Sequence, residues 1–296
     1  MKKLLIGAGL LSLAVSHPAF AEDQPVTLEK SSPWVMDYAE DSCKLRAAFK
    51  SDAGDDQEKP YVLEFQQYGP GADFDVMVYG KGLKLRDDGK FTMRWSDDAP
   101  DQELQAMSLI EVDGQKGFVF KSTLIDPDIK ESETAPALIT ELSQAAETKV
   151  DGLYLLKGPR SKVFFKTGNL RAAFDAMRTC TDELTQHWGL DAAAYKARTR
   201  SPKPIDYEKW TKRFFELFFR RQEKGTFARF HNRVRLMIDE TGAVSSCHSQ
   251  FRIEPEELME ESCQLLKKVA RFEPALGSDG LPIKGVYQLT VFAFQD

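Results

Sequence analysis

Hydrophobic and polar residues alternate in short runs through the first half of the chain and recur at helical spacing in several later stretches. Tyr61, Leu63 and Phe65 alternate with Val62 and Glu64. Phe74, Val76 and Val78 alternate with Asp75, Met77 and Tyr79, and Phe91, Met93 and Trp95 with Thr92 and Arg94. A period of two sends successive side chains to opposite faces of a strand, so residues from about 32 to 125 are predicted to be β structure with one buried face. Asp88-Gly89 and Asp113-Gly114 stand between such runs, where Asp-Gly supplies the positive φ of a tight hairpin. The expected arrangement is an antiparallel meander or a small sandwich, with Gly117 to Leu124 continuing the pattern.

The spacing then changes. Pro136 to Thr148 places Leu138, Leu142 and Ala145 on one helical face, with Thr134 as the expected cap. A strand pair, Leu153–Leu156 and Lys162–Phe165, separates it from a second helix starting near Asn169. That helix carries Leu170, Phe174, Met177, Cys180, Leu184 and Trp188 on one stripe and stops at Gly189. Residues 196–206 are polar and hold Pro202 and Pro204, the composition of a linker. The predicted division is therefore a β-rich domain over 22–195 and a second domain over 207–296. In the second, Tyr207 to Gln222 is an amphipathic helix with Trp210, Phe214, Leu217 and Phe218 on one face. A strand at Val234–Ile238, a turn at Asp239–Gly242 and a return strand at Ala243–Cys247 follow. A helix from Pro255 to Ala270 and a final strand from Gly285 to Phe294 complete an α+β chain.

Composition and charge narrow the functional classes. The chain has 296 residues and a net charge of −6, which argues against a general nucleic-acid binder. Lys2 and Lys3, the apolar run Leu4–Val15 and Ala19-Phe20-Ala21 have the layout of a secretory signal peptide cleaved after Ala21. His17 and Pro18 interrupt the run before it reaches membrane-spanning length, so a retained anchor is the lesser reading. The expected compartment is the oxidising periplasm of a Gram-negative cell. Cys43, Cys180, Cys247 and Cys263 allow three disulfide pairings. Cys43–Cys180 with Cys247–Cys263 is favoured, because each pair then lies inside one proposed domain. A metal site at Cys247-His248 and Cys263 lacks a fourth ligand at recognisable spacing.

Catalytic motifs are missing. There is no GxSxG, HExxH or P-loop, and His187, His231 and His248 have no obvious nucleophile partner. The acidic stretches Asp52–Glu58 and Asp97–Glu103 do not have EF-hand spacing. The expectation is a protein without enzymatic activity, cofactor or metal. From Lys209 to Arg235 nine basic residues face only Glu216 and Glu223, interleaved with aromatics, a pattern compatible with contact to an anionic membrane surface.

Val234-Arg-Leu-Met-Ile-Asp-Glu-Thr-Gly-Ala-Val244, the helix after it, Arg271-Phe-Glu-Pro-Ala275, Gly280-Leu-Pro282 and the terminal strand ending Phe292-Ala-Phe294 together resemble the C-terminal domain of the TonB family. The likeness spans roughly residues 230–294 and implies a small two-layer ββαβ fold. It implies that the final strand adds a peptide of an envelope protein or outer-membrane receptor to a sheet edge, with Val286, Gln288, Thr290 and Phe292 as the matching positions. The cysteine pair Cys247 and Cys263 is similar to a disulfide-bearing variant in alphaproteobacterial members. Ser32-Pro-Trp-Val-Met-Asp-Tyr38, Asp41-Ser-Cys43 and Phe65-Gln-Gln-Tyr-Gly-Pro-Gly71 resemble an uncharacterised N-terminal region of such proteins. A TonB-type energy transducer, the alternative, keeps its anchor and a long Pro-rich spacer; here the leader is of the cleavable kind and a folded region occupies the spacer's place. On the binding reading, proline at Val291 is expected to abolish partner binding while the domain stays folded.

Fractionation by osmotic shock, alkylation without reduction and intact mass should give a soluble chain beginning at Glu22 with no alkylated cysteine. A membrane-bound chain retaining residues 1–21 would favour the transducer.

Overall fold

A computed structural model describes residues 24–51, 59–124, 143–222, 229–250 and 256–294. In chain order the first part contains β1 (Val26–Lys30), β2 (Val35–Tyr38), β3 (Cys43–Ser51), β4 (Tyr61–Gln67), β5 (Asp73–Tyr79), β6 (Lys90–Arg94), β7 (Gln102–Gln105), β8 (Ser108–Val112) and β9 (Gln115–Thr123). Helix α1 (Gln144–Lys149), β10 (Leu153–Lys157), β11 (Val163–Lys166), α2 (Arg171–His187) and α3 (Ala192–Lys196) follow. The second part contains β12 (Lys203–Ile205), α4 (Tyr207–Gln222), β13 (Arg229–Ile238), β14 (Val244–Ser249) and α5 (Glu256–Val269). It ends with β15 (Arg271–Glu273), β16 (Ala275–Leu276), β17 (Pro282–Ile283) and β18 (Gly285–Phe294). The class is α+β.

The first part is one curled, largely antiparallel 11-stranded sheet, not a sandwich, in the order β7-β6-β10-β11-β1-β3-β4-β5-β9-β8, with β2 on β3. The consecutive hairpins β3-β4-β5 are the meander that alternation predicts. The rest departs from it: β1 begins before residue 32 and pairs in parallel with β11, while β10 joins β6. The pair β10–β11 is thus inside the sheet, not a separate hairpin between helices. At Asp113-Gly114 both residues have positive φ, 48° and 79°, and the flanking Val112 and Gln115 pair directly.

Curling brings β6 against β9, though they are not neighbours in the order. The Phe91 ring lies 4.8 Å from Phe118 and 4.9 Å from Phe120, and Trp95 Nε1 donates to Ser122 Oγ at 3.0 Å. Helix α2 turns its apolar stripe into the same core, placing Phe174 5.2 Å from both Phe65 and Phe74. Cys43–Cys180 fastens β3 to this helix. Ser143, not Thr134, caps α1, accepting from Ala146 N; Thr134, Pro136 and Leu138 lie outside the described residues. The fully buried Glu147 of α1 takes both guanidinium nitrogens of Arg178 at 2.6 and 3.0 Å, locking α1 to α2.

The second part has its own core. Strands β14-β13-β18 form an antiparallel sheet with α4 and α5 on one face. Trp210, Phe214, Val234, Leu236, Ile238, Leu258, Leu266, Phe272 and Leu289 are buried between them. Cys247–Cys263 joins β14 to α5. Asp239 Oδ1 accepts from Thr241 N and Oγ1 and from Ala243 N, and the Thr241 hydroxyl above all holds its carboxyl below the usual range. At Gly242, with φ 84°, a Cβ would come within 1.9 Å of the Phe272 carbonyl oxygen. Only glycine lets β15 approach this closely.

The stretch 196–206 is not a free linker. Within it β12 pairs with β15, Pro204 opposite Phe272, and Arg200 bridges Leu276. Proline is tolerated because β12 is an edge strand. The chain is therefore incorporated into the second part before α4 begins.

Phe174→Ala should lower the stability of the first unit by about 3–5 kcal/mol, the cost of emptying a buried aromatic site. Urea unfolding followed by tryptophan fluorescence measures it.

Candidate functional site

Strand β18 runs alongside β13 from the pair Ile238↔Gly285 to Arg229↔Phe294 without a register shift. Gln250 N donates to Arg233 O at 2.8 Å and Ser245 Oγ to Met237 O at 3.1 Å. Odd-numbered residues of β13 therefore turn their main-chain groups toward β14. Even-numbered ones, among them Val234 and Leu236, turn theirs toward Leu289 and Tyr287 of β18. By the same alternation Val286, Gln288, Thr290 and Phe292 direct N–H and C=O away from β13. Among the described residues no strand pairs with that outer edge. The four positions singled out in the sequence thus share one row of outward main-chain groups. Val291 is on the other row, facing Asn232, so proline there would break the sheet itself.

The helix-covered face of the sheet uses Val234, Leu236 and Ile238. The intervening residues, Arg233 and Arg235, point to the opposite face, and that face rests on the first unit. Arg233 Nη2 meets Asp75 Oδ2 at 3.0 Å, with both side chains only 6% exposed, and its guanidinium lies 3.8 Å above the Tyr68 ring. Arg235 Nη1 meets Asp41 Oδ1 at 2.5 Å and lies 4.3 Å above Trp188. His248 Nε2 is 2.8 Å from the second Asp41 oxygen, and Gln250 Nε2 donates to the Asp41 carbonyl at 3.0 Å. Burial weighs against the charge of Arg235, and Asp41 opposes that effect. Burial also pushes the Tyr68 phenol well above its ordinary value, so it is a neutral ring under the cation. These two arginines belong to the basic run read as a possible membrane surface; both are instead committed to acids of the first unit.

The seam continues to the start of β18. Gln288 Nε2 donates to Tyr68 O at 2.6 Å, and the Tyr195 hydroxyl is 3.4 Å from the outward Val286 carbonyl. Here a cleft of about 180 Å³ opens between the units. Gln66, Tyr68, Trp188, Arg198, Arg233 and Gln288 are among the residues that line it. Of the predicted site residues, Val286 and Gln288 reach the cleft, and Thr290 and Phe292 continue the strand beyond it.

Asp41, Asp75, Tyr68 and Arg198 were not singled out by sequence reasoning. For Asp41 and Tyr68 the available signal was position, since Asp41-Ser-Cys43 and Phe65–Gly71 both fall on this seam; nothing in the sequence marks Asp75 or Arg198. Among the described residues no group of three or more His, Cys, Asp or Glu side chains is placed to hold a metal ion. No helix among them is long and apolar enough to cross a membrane. No family model, curated protein or solved structure matches the chain.

Asp75→Ala should destabilise the protein by about 3–5 kcal/mol, because it strands the Arg233 guanidinium in a dry seam. Replacing Asp75 and Arg233 together by apolar residues should recover much of that loss. Denaturant unfolding of the single and double variants measures the difference.

Proposed function

We propose that this is a non-catalytic protein of the Gram-negative periplasm whose second unit binds a peptide segment of an envelope protein by strand addition to β18. The observation that carries the reading is the row of outward main-chain groups at Val286, Gln288, Thr290 and Phe292 along an edge with no strand partner among the described residues. A ten-residue strand with an open edge is a template for pairing, and soluble proteins otherwise shield such edges. Main-chain pairing would supply affinity, and alternate side chains selectivity. The likeness to the TonB C-terminal domain, with strand, strand, helix and final strand in that order, supports the same mode. Two disulfides suit an oxidising compartment.

The first unit has a defined part in this reading. It covers one face of the three-stranded sheet and narrows the Val286 end of the edge to the cleft, leaving the stretch toward Phe294 for a partner. The ion pairs at the seam orient the binding edge relative to the curled sheet.

The test is a pair of proline variants measured against envelope extracts by crosslinking and mass spectrometry. Thr290→Pro removes an outward N–H only, so it should keep the fold and the disulfides while lowering partner capture at least tenfold. Val291→Pro should unfold the three-stranded sheet. Undiminished capture by a folded Thr290→Pro protein would rule out strand addition.

A further inference from the structure

The cleft at the seam has an unbalanced charge. Three cations line it, Lys121, Arg198 and Arg233, and two acids, Asp73 and Asp75. Lys121 pairs with Asp73 and Arg233 with Asp75. Arg198 has no acidic partner among the described residues. Its Nη1 donates to the Tyr195 carbonyl at 2.6 Å, its Nε to Ser201 Oγ at 3.0 Å, and its guanidinium lies 4.0 Å above the Tyr195 ring. These contacts hold the group rigidly without neutralising it. The residue is only 8% exposed, and burial lowers its pKa from the ordinary arginine value. A buried guanidinium without a counter-charge is expensive unless an anion arrives. The same cleft is edged by the amides of Gln66 and Gln288, each of which spends one N–H, on Ser42 Oγ and on the Tyr68 carbonyl, and has a second to complete the hydrogen bonding of a bound group.

The position of the cleft identifies the anion. Val286 and Gln288, the first two outward-facing residues of β18, line it. A strand laid antiparallel on β18 would therefore run toward the cleft and bring its C-terminal end there. A parallel strand would bring an N-terminal end, which a lone arginine repels. About 180 Å³ accommodates the end of a chain but not a folded element. We propose that the cleft receives the C-terminal carboxylate of the peptide added to β18, with Arg198 as its counter-charge. This rests on the strand-addition reading and adds to it a direction and a chain end: the partner is recognised at its C-terminus.

The test uses the chain from Glu22, labelled with nitrogen-15, and three probes followed by NMR. They are N-acetylated Thr-Val-Thr-Val-Thr-Val with a free carboxylate, the same peptide as its C-terminal amide, and acetate. Both peptides should shift the amides of Gln288, Thr290 and Phe292. Only the acid should shift the Arg198 Nε–H, and it should bind at least tenfold more tightly than the amide. That preference should fall below twofold in Arg198→Gln and persist in Arg198→Lys. Equal binding of acid and amide with the β18 shifts intact would overturn the carboxylate receptor and leave strand addition standing. Arg198 shifts with acetate and the acid but a silent β18 would mean a site for free small carboxylates, overturning the chain-end assignment together with strand addition. Silence at both places with every probe would overturn both. The acid–amide comparison on the unaltered chain decides the matter even if Arg198→Gln fails to fold.

Discussion

A guanidinium withdrawn from water must find a counter-charge, and Arg233 finds it across the boundary between the two units, at Asp75. An apolar seam of the same area would tolerate sliding. A buried ion pair with a cation–π contact beneath it has a narrow range of acceptable distances and angles, so it sets a single docking geometry. The consequences run outward from it. The face of the three-stranded sheet that carries Arg233 and Arg235 is covered, the Tyr68 loop is brought to the first residues of β18, and the remaining edge is left facing outward.

The first unit is braced to hold its half of the seam. Cys43 follows Asp41 by two residues, and Cys180 lies on the helix that ends just before Trp188. The disulfide between them ties the start of β3 to the middle of α2, and the segments beside these two elements clasp Arg235, Asp41 by charge and Trp188 by its aromatic face. Glu147 and Arg178 secure the same helix from its other side. Oxidation therefore supports more than the stability of the curled sheet. It helps to keep the acid and the indole in position for docking.

Elements with strong periodicity were legible in the sequence. The final strand Gly285–Phe294 and the helix Tyr207–Gln222 have the bounds that their hydrophobic spacing predicts. The stripe from Leu170 to Leu184 faces the core as its spacing requires. Which strands become neighbours was not legible, because alternation reports a face and not a partner. Nothing in Val163–Lys166 announces that it pairs in parallel with Val26–Lys30. Period two gave the shared row of Val286, Gln288, Thr290 and Phe292, but the seam stayed hidden. Arg233 and Arg235 look like surface charge because their acids, Asp75 and Asp41, are some 160 and 190 residues away in sequence. Residues 196–206 look like a linker because proline and charge dominate local statistics, while pairing with Arg271–Glu273 depends on a strand that comes much later.

That pairing separates the point where the chain crosses between the units from the point where composition changes. Thr199 N already donates to the Leu276 carbonyl, and β12 occupies an edge that β15 would otherwise present to solvent. A fragment excised at Tyr207 would carry its full set of core residues and yet lose a strand, gaining a sticky border that the intact chain never shows. The stretch that folds together is therefore longer than its hydrophobic core, and a fragment that keeps this border covered has to begin upstream of Thr199.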